Sequence, residues 1–403
     1  MNDTRLMGSA RRSPAFATPL HVGRPNLGDR ERLRSRIDTI LDSHYLTNGG
    51  PFATEFERRV GETVGAGQCV LTTNATIGLE LAIRALGLRG EVIVPSFTFI
   101  ATVHVLAWLG LRPVFCDVDP QTYTIDPRAA EELVTTRTSA IFGVHVFGQP
   151  CDTAGLATVA AKHGLTLLYD AAHAFGCSHH GRPIGQFGQA EVFSFHATKF
   201  INSAEGGAIV TSDVELADRL RLMRNFGFST YDTVSALGTN AKMNEVSAAI
   251  GLTNLESVAD FIALNRRNHA QYSAALARVP GIKVGPPVSA DERNYQYVVI
   301  EVDPDQAGVT RDELQLALHA ENVLVRRYFH PGCHRSEPYR SMVDPDSWGL
   351  VNTERISARV LCLPTGTQVG ADDIDIVCEI IATAIADAQS GRRLVPIAPF
   401  RPS

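Results

Sequence analysis

Apolar and polar residues follow two rhythms along this chain. From residue 27 the pattern is helical: Asp29 is placed to cap a helix reaching about residue 41, with Leu33, Ile37, Ile40 and Leu41 on one face. A turn at Asn48-Gly49-Gly50-Pro51 precedes a helix over 55–64. From Gln68 short apolar runs alternate with longer amphipathic ones. Strands are predicted at 69–71, 91–94, 113–116, 140–144, 165–169, 192–195 and 208–211, with helices at 76–86, 98–108, 129–134 and 153–163. The strand runs are almost continuously apolar, as expected when helices cover both faces of a sheet. This alternation predicts an α/β domain on a largely parallel sheet.

Past residue 244 the text changes. One long helix is predicted from 245 to 260, continuing towards 266–277. Then come Pro280-Gly281 and Gly285-Pro286-Pro287, a strand over 295–302 and a helix over 311–321. A loop rich in Pro, His and Tyr at 327–339 and a helix over 371–386 complete the chain. The predicted organisation is a flexible arm (1–20), a large domain (21–262) and a smaller α+β domain (263–403). The pair His179-His180 reads as an exposed hairpin tip.

Composition narrows the function classes. The 403 residues carry a net charge of −6 and contain no strongly basic stretch, which argues against nucleic-acid binding. No apolar run approaches the roughly 20 residues of a membrane span, and the N-terminus lacks a signal-peptide core. A soluble, cytoplasmic protein is expected. The seven cysteines are scattered with no CxxC pair, so neither a disulfide framework nor a metal site is expected. His330 and His334 have HxxxH spacing, but the intervening Pro331-Gly332 opposes the helix a metal pair needs. Of 37 basic residues only four are lysine: Lys162, Lys199, Lys242 and Lys283. A position that keeps lysine in so arginine-rich a chain can be one that needs an amine able to lose its proton.

Ligands of open α/β sheets bind beyond the carboxyl ends of the strands. Three segments stand there. Thr72-Thr73-Asn74-Ala75-Thr76 joins a strand to a helix start, where free N–H groups and the helix dipole suit an anion; a simple helix cap at Asn74 or Thr76 is the plainer reading. Asp170 ends the run LTLLYD, where a carboxylate needs a cation or donors unless it merely caps a turn. The run SFHATKF delivers Ser194, His196 and Lys199 from one strand end. An anion cup, a carboxylate and an amine around one mouth are what pyridoxal phosphate requires: the amine condenses with its aldehyde and the carboxylate keeps its pyridine nitrogen protonated. Phe99 is placed to stack on the ring.

From about residue 25 to 381 the chain resembles the pyridoxal-phosphate-dependent nucleotide-sugar aminotransferases of the DegT/StrS type, within fold type I. The resemblance rests on TNGGPFATEFE, TTNATIGLELA, EVIVPSFTFIAT, PVFCDVD, DAAHAFG, FSFHATKFINSAEGGAIVT, GTNAKMNEVSAAIGL, RRYFHPGCH and LPTG in order. It implies a seven-stranded sheet in the large domain. Lys199 would carry the cofactor and move protons, Asp170 would pair with the ring nitrogen, and His173 would lie near the 3-hydroxyl. Backbone groups of Ala75 and Thr76, with the Ser194 hydroxyl, would hold the phosphate. Asn240 would reach the phosphate of a neighbouring subunit's cofactor, making a homodimer with shared active sites. Ala75 departs from the family, where many members carry Gly. Lys242, Tyr328, His330 and His334 are candidate substrate contacts. Dehydratases of similar sequence carry His in place of the lysine, and Lys199 argues against that reading. DAAHA with SFHA resembles enzymes that aminate carbon 4 of dTDP-4-keto-6-deoxyglucose, with L-glutamate as donor. A 3-keto-sugar or cyclitol aminotransferase, or a non-catalytic protein of the same fold, are the alternatives.

Overall fold

The computed structural model describes residues 13–285 and 291–391. Its centre is a seven-stranded sheet in the order Gln68–Thr72, Gly207–Thr211, Ala190–Ser194, Thr166–Asp170, Thr138–Val144, Glu91–Pro95, Arg112–Cys116. Gly207–Thr211 runs antiparallel to both of its neighbours, and the other pairs are parallel. Every residue of Glu91–Pro95, Ala190–Ser194 and Gly207–Thr211 is buried, which is why these strands read as mostly apolar text. All seven predicted strands are present, and the α/β expectation holds.

A second, antiparallel sheet (Ile282–Gly285, Val298–Val302, Val360–Leu363) lies towards the C-terminus. Its apolar cluster includes Tyr272, Ile300, Leu314, Leu361 and Ile381, drawn from this sheet and the helices Val258–Leu276, Arg311–Ala320 and Ala371–Gln389. The strand Val360–Leu363 has no counterpart in the sequence reading.

Four expectations are corrected. The long helix after 244 is two helices, Glu245–Leu255 and Val258–Leu276, bent by 60°. The break sits where Asn254 receives the Gly28 N–H at 2.8 Å and donates to the Asn202 carbonyl at 2.8 Å, while Glu256 gathers Arg32, Arg36 and Arg59. These tertiary anchors override local helix propensity. The described end of the expected arm is not free: Leu20–His21 pairs in parallel with Val323–Leu324, and Phe16 and Leu20 join the C-terminal apolar cluster. Residues 1–12 lie outside the described residues. The division expected at 262/263 falls inside Val258–Leu276. The pair 179–180 does lie on a hairpin, but His179 is buried beside Phe187.

Among the described residues no single helix is long and apolar enough to cross a membrane. The seven cysteines are free and buried, where burial raises their thiol pKa values.

Candidate active site

The carboxyl ends of the parallel strands open onto a cavity of about 510 Å³. Asp170 is the last residue of its strand and is buried at the cavity wall. Its Oδ2 accepts from the Thr102 hydroxyl at 2.8 Å and its Oδ1 from the Ala172 N–H at 3.0 Å. Burial raises its pKa, opposed by these two donors and by Lys199. A carboxylate so placed is stabilised by any cation that enters.

Lys199 faces the same cavity from the loop after Ala190–Ser194, its own N–H bonded to the His196 carbonyl at 2.9 Å. Burial lowers the amine's pKa to about 8, and Asp170 holds it from falling further. The amine is therefore half-neutral in mildly alkaline solution, a condition for nucleophilic attack that a surface lysine does not meet.

His173 packs beside two aromatic rings, Phe147 and Phe329, that are 5.8 Å from each other. Its ring is nearly parallel to Phe147 (6.2 Å, 10°) and to Phe329 (5.9 Å, 10°). The Phe147 N–H donates to Nδ1 at 3.1 Å, so the proton of the neutral ring sits on Nε2, facing the Tyr297 hydroxyl at 3.3 Å. Burial, with Lys199 nearby, holds its pKa well below the usual histidine range.

The anion cup is the start of the helix Ala75–Ala85. Asn74 caps it, accepting from the Ile77 N–H at 2.9 Å, so the plainer reading of Asn74 is correct as well. Ala75 and Thr76 line the cavity at the helix start, where N–H groups have no intrahelical acceptor. Gly207 explains part of the EGG motif: a Cβ there would stand 2.7 Å from the Ala75 nitrogen, so a side chain would push the cup away from the sheet. Ser194 lines the cavity opposite.

Phe99 and Tyr328 line the cavity, as the sequence suggests. Four candidates do not. His334 is fully buried, with Nδ1 2.6 Å from the Ser96 hydroxyl and Nε2 3.2 Å from Glu354. The 327–339 loop turns inward there, so its histidine is a structural bolt rather than a substrate contact. His330 is exposed and outside the cavity lining. Lys242 lines a different cavity of about 430 Å³ with Arg221 and Arg224. Asn240 is exposed, in a bridge with Asn225, away from the Lys199 cavity of its own chain.

Thr102, Tyr297 and Phe329 are cavity or supporting residues to which the sequence reading gave no role, and Glu205, read only within the motif ending SAEGGAIVT, lines the cavity as well. Thr102 was detectable in principle: it follows Thr98 by four residues, one helical turn, and their hydroxyls meet at 2.9 Å. Tyr297 and Phe329 come from the C-terminal part of the chain, and no local pattern marks them.

A helix start, a hydroxyl, a buried carboxylate and an amine of lowered pKa thus share one mouth. This donor set suits the phosphate, ring nitrogen and aldehyde of pyridoxal phosphate. Comparison with known proteins agrees. The dTDP-4-amino-4,6-dideoxy-D-glucose transaminase of Shigella dysenteriae is 36% identical over 363 residues, covering 90% of this chain and 98% of that protein. The GDP-perosamine synthase of Caulobacter vibrioides is 33% identical over 362 residues, covering 89% of this chain and 96% of that protein. A crystal structure of DesI, determined in the presence of its TDP-sugar product, matches with a TM-score of 0.88 and 50% identity, covering 94% of this chain and 95% of that one. The DegT/DnrJ/EryC1/StrS aminotransferase family model matches residues 28–382, and the chain belongs to that family.

Proposed function

We propose that the protein moves an amino group from L-glutamate to carbon 4 of dTDP-4-keto-6-deoxyglucose, using pyridoxal phosphate. The observation that carries this reading is the convergence of Lys199, Asp170 and the capped helix start on one cavity. The carbon-4 assignment is supported by the dTDP-4-amino-4,6-dideoxy-D-glucose transaminases among the relatives and by the 50% identity to DesI.

The N–H groups of Ala75 and Thr76 and the Ser194 hydroxyl would hold the cofactor's phosphate, Asp170 its ring nitrogen and Lys199 its aldehyde, with Phe99 and His173 flanking its ring. When bound, the cofactor supplies an aldehyde that takes up the amino group and a ring that accepts electron density. The chain's own residues do the rest. Thr102 and Ala172 fix both oxygens of Asp170, so the acid meets a ring cation without reorganising. Lys199, with its amine pKa near 8, can give and take a proton close to neutral pH. His173, held neutral, brings no second cation beside that amine. Phe329 and Tyr297 add aromatic walls to the mouth.

The working unit in this reading is a homodimer. Asn240 and Lys242 lie beside the exposed Phe226, Phe228 and Tyr231, a surface that a second copy would cover. Mixing Lys199→Met and Asn240→Ala subunits tests the sharing: if sites are composite, the mixture recovers activity that neither parent has. The function itself is tested by incubating the purified protein with L-glutamate and dTDP-4-keto-6-deoxyglucose and reading the product by mass spectrometry and NMR. An amine at carbon 4 is expected; turnover of a 3-keto isomer alone overturns the assignment.

A further inference from the structure

At the rim of the Lys199 cavity stands a carboxylate that the mechanism above does not use. Glu205 lines the cavity, and its side chain is 63% exposed. No described residue donates a hydrogen bond to it; His196 stands beside it, with Nε2 3.6 Å from Oε1.

Its placement is built rather than incidental. Ser203 is fully buried; its hydroxyl donates to the Glu205 carbonyl at 2.9 Å, and its own carbonyl accepts the Glu205 N–H at 2.9 Å. Between them Ala204 is held at φ 61°, a left-handed conformation that costs a non-glycine residue energy and that folds retain where a site needs it. Gly206 follows, where a Cβ would stand 2.1 Å from the Ser203 hydroxyl, so the turn has one tight geometry. His196 is fixed as well: the Thr198 N–H donates to its Nδ1 at 3.2 Å and the Thr198 hydroxyl lies 2.8 Å from the same atom. The ring proton is thereby left on Nε2, the atom that faces Glu205.

Deeper in the cavity the helix start and Lys199 attract anions, while Asp170 sits at the wall. A carboxylate at its rim opposes the approach of a dicarboxylic amino acid and of a diphosphate. Its productive partner carries neutral donors, and the hydroxyls of a hexose are such donors, bound by charge-assisted hydrogen bonds. We propose that Glu205, oriented by His196, reads ring hydroxyls of the nucleotide-linked hexose and acts in the sugar half-reaction only. This rests on the function proposed above.

The test uses the full-length, cofactor-loaded protein and two amino donors, L-glutamate and dTDP-4-amino-4,6-dideoxy-D-glucose. Each is followed in single-turnover mixing by the cofactor's absorbance change. Glu205→Gln is expected to lower kcat/KM for the amino sugar about tenfold or more, as loss of a hydrogen bond to a charged group does, and to leave the glutamate reaction unchanged or faster. Calorimetry supplies a readout without turnover: the variant weakens binding of unreactive dTDP-glucose by a similar factor and leaves dTDP alone unchanged. Glu205→Asp recovers part of the loss, and His196→Asn shows a smaller loss of the same kind. Equal losses with both donors, or loss of the dimer in Glu205→Gln, overturn the proposal and assign the carboxylate to structure. If the wild-type protein reacts with glutamate but not with the amino sugar, the carbon-4 reading fails. The dTDP-glucose and dTDP affinities then still decide whether Glu205 reads a hexose.

Discussion

Lys199 and Lys242 each line a cavity beside aromatic rings, yet they have opposite surroundings. Lys199 lies opposite Asp170 at the end of a buried strand, and burial lowers its pKa to about 8 while the acid opposes the fall. Lys242 donates to Asn225 at 2.8 Å, sits 4.6 Å above the Phe226 ring, and shares its cavity with Arg221 and Arg224. Burial and then Arg224 lower its pKa too, and the Glu57 carboxylate in the same cavity pairs with Arg224 at 2.6 Å. One lysine belongs to an acid–amine pair that can hold a cationic ring and exchange protons. The other belongs to a shelf whose two arginines already pair with Glu57 and Asp218. The difference lies in what the fold places opposite each amine.

Removing the two amines gives the largest contrast. Lys199→Met is expected to abolish the visible band of the loaded protein and to lower turnover roughly ten-thousand-fold, the upper range for loss of a proton-transferring group. Lys242→Met keeps the band, and absorbance spectra with steady-state assays of both variants show it. If Lys242→Met loses the band while Lys199→Met keeps it, the two assignments are exchanged.

Removing the acid partner is the next test. Asp170→Asn leaves Lys199 in place but lowers turnover roughly a hundredfold or more, by analogy with breaking a buried charge pair at about 3–5 kcal/mol. Because Asp170 holds the Lys199 pKa up, the variant's amine titrates below about 8, measurable as the pH dependence of cofactor uptake. An unchanged profile would remove the acid from the pair.

The cup responds through Gly207. A Cβ there meets the Ala75 nitrogen at 2.7 Å, so Gly207→Ala is expected to cost about 1–3 kcal/mol by overpacking and to weaken cofactor affinity. Denaturant unfolding and cofactor titration report the two parts.

A further effect is on stability against pH. Lys199 has a folded pKa below its ordinary 10.5, so the unfolded chain binds more protons between about 8 and 10.5. For the cofactor-free protein this group therefore makes stability rise with pH across that window. Denaturation midpoints across that range should rise in the wild type relative to Lys199→Met.

Much of the site was readable because its parts are local. Asn74 with the following helix start, Asp170 closing an apolar run, and SFHATK all lie where a strand stops, and strand ends are visible as changes of periodicity. The rest came from distance. Phe329 and Tyr297 reach His173 from more than a hundred residues away. His334 carried the same local signature as a ligand-contacting histidine, and only its packing against Ser96 and Glu354 separates the two. Likewise, nothing between 245 and 260 announces a helix break, because its anchors are Gly28, Asn202 and three arginines from the first 59 residues.

Local order along the chain was enough to specify the parallel sheet, the strand ends and the residue types presented there, since apolar period and caps are written in neighbouring positions. Which of those residues share a mouth, which amine loses its proton, and which histidine is merely packed depended on long-range folding. Burial and opposing charge are properties of a place in space, and that place is assembled from segments far apart in the text.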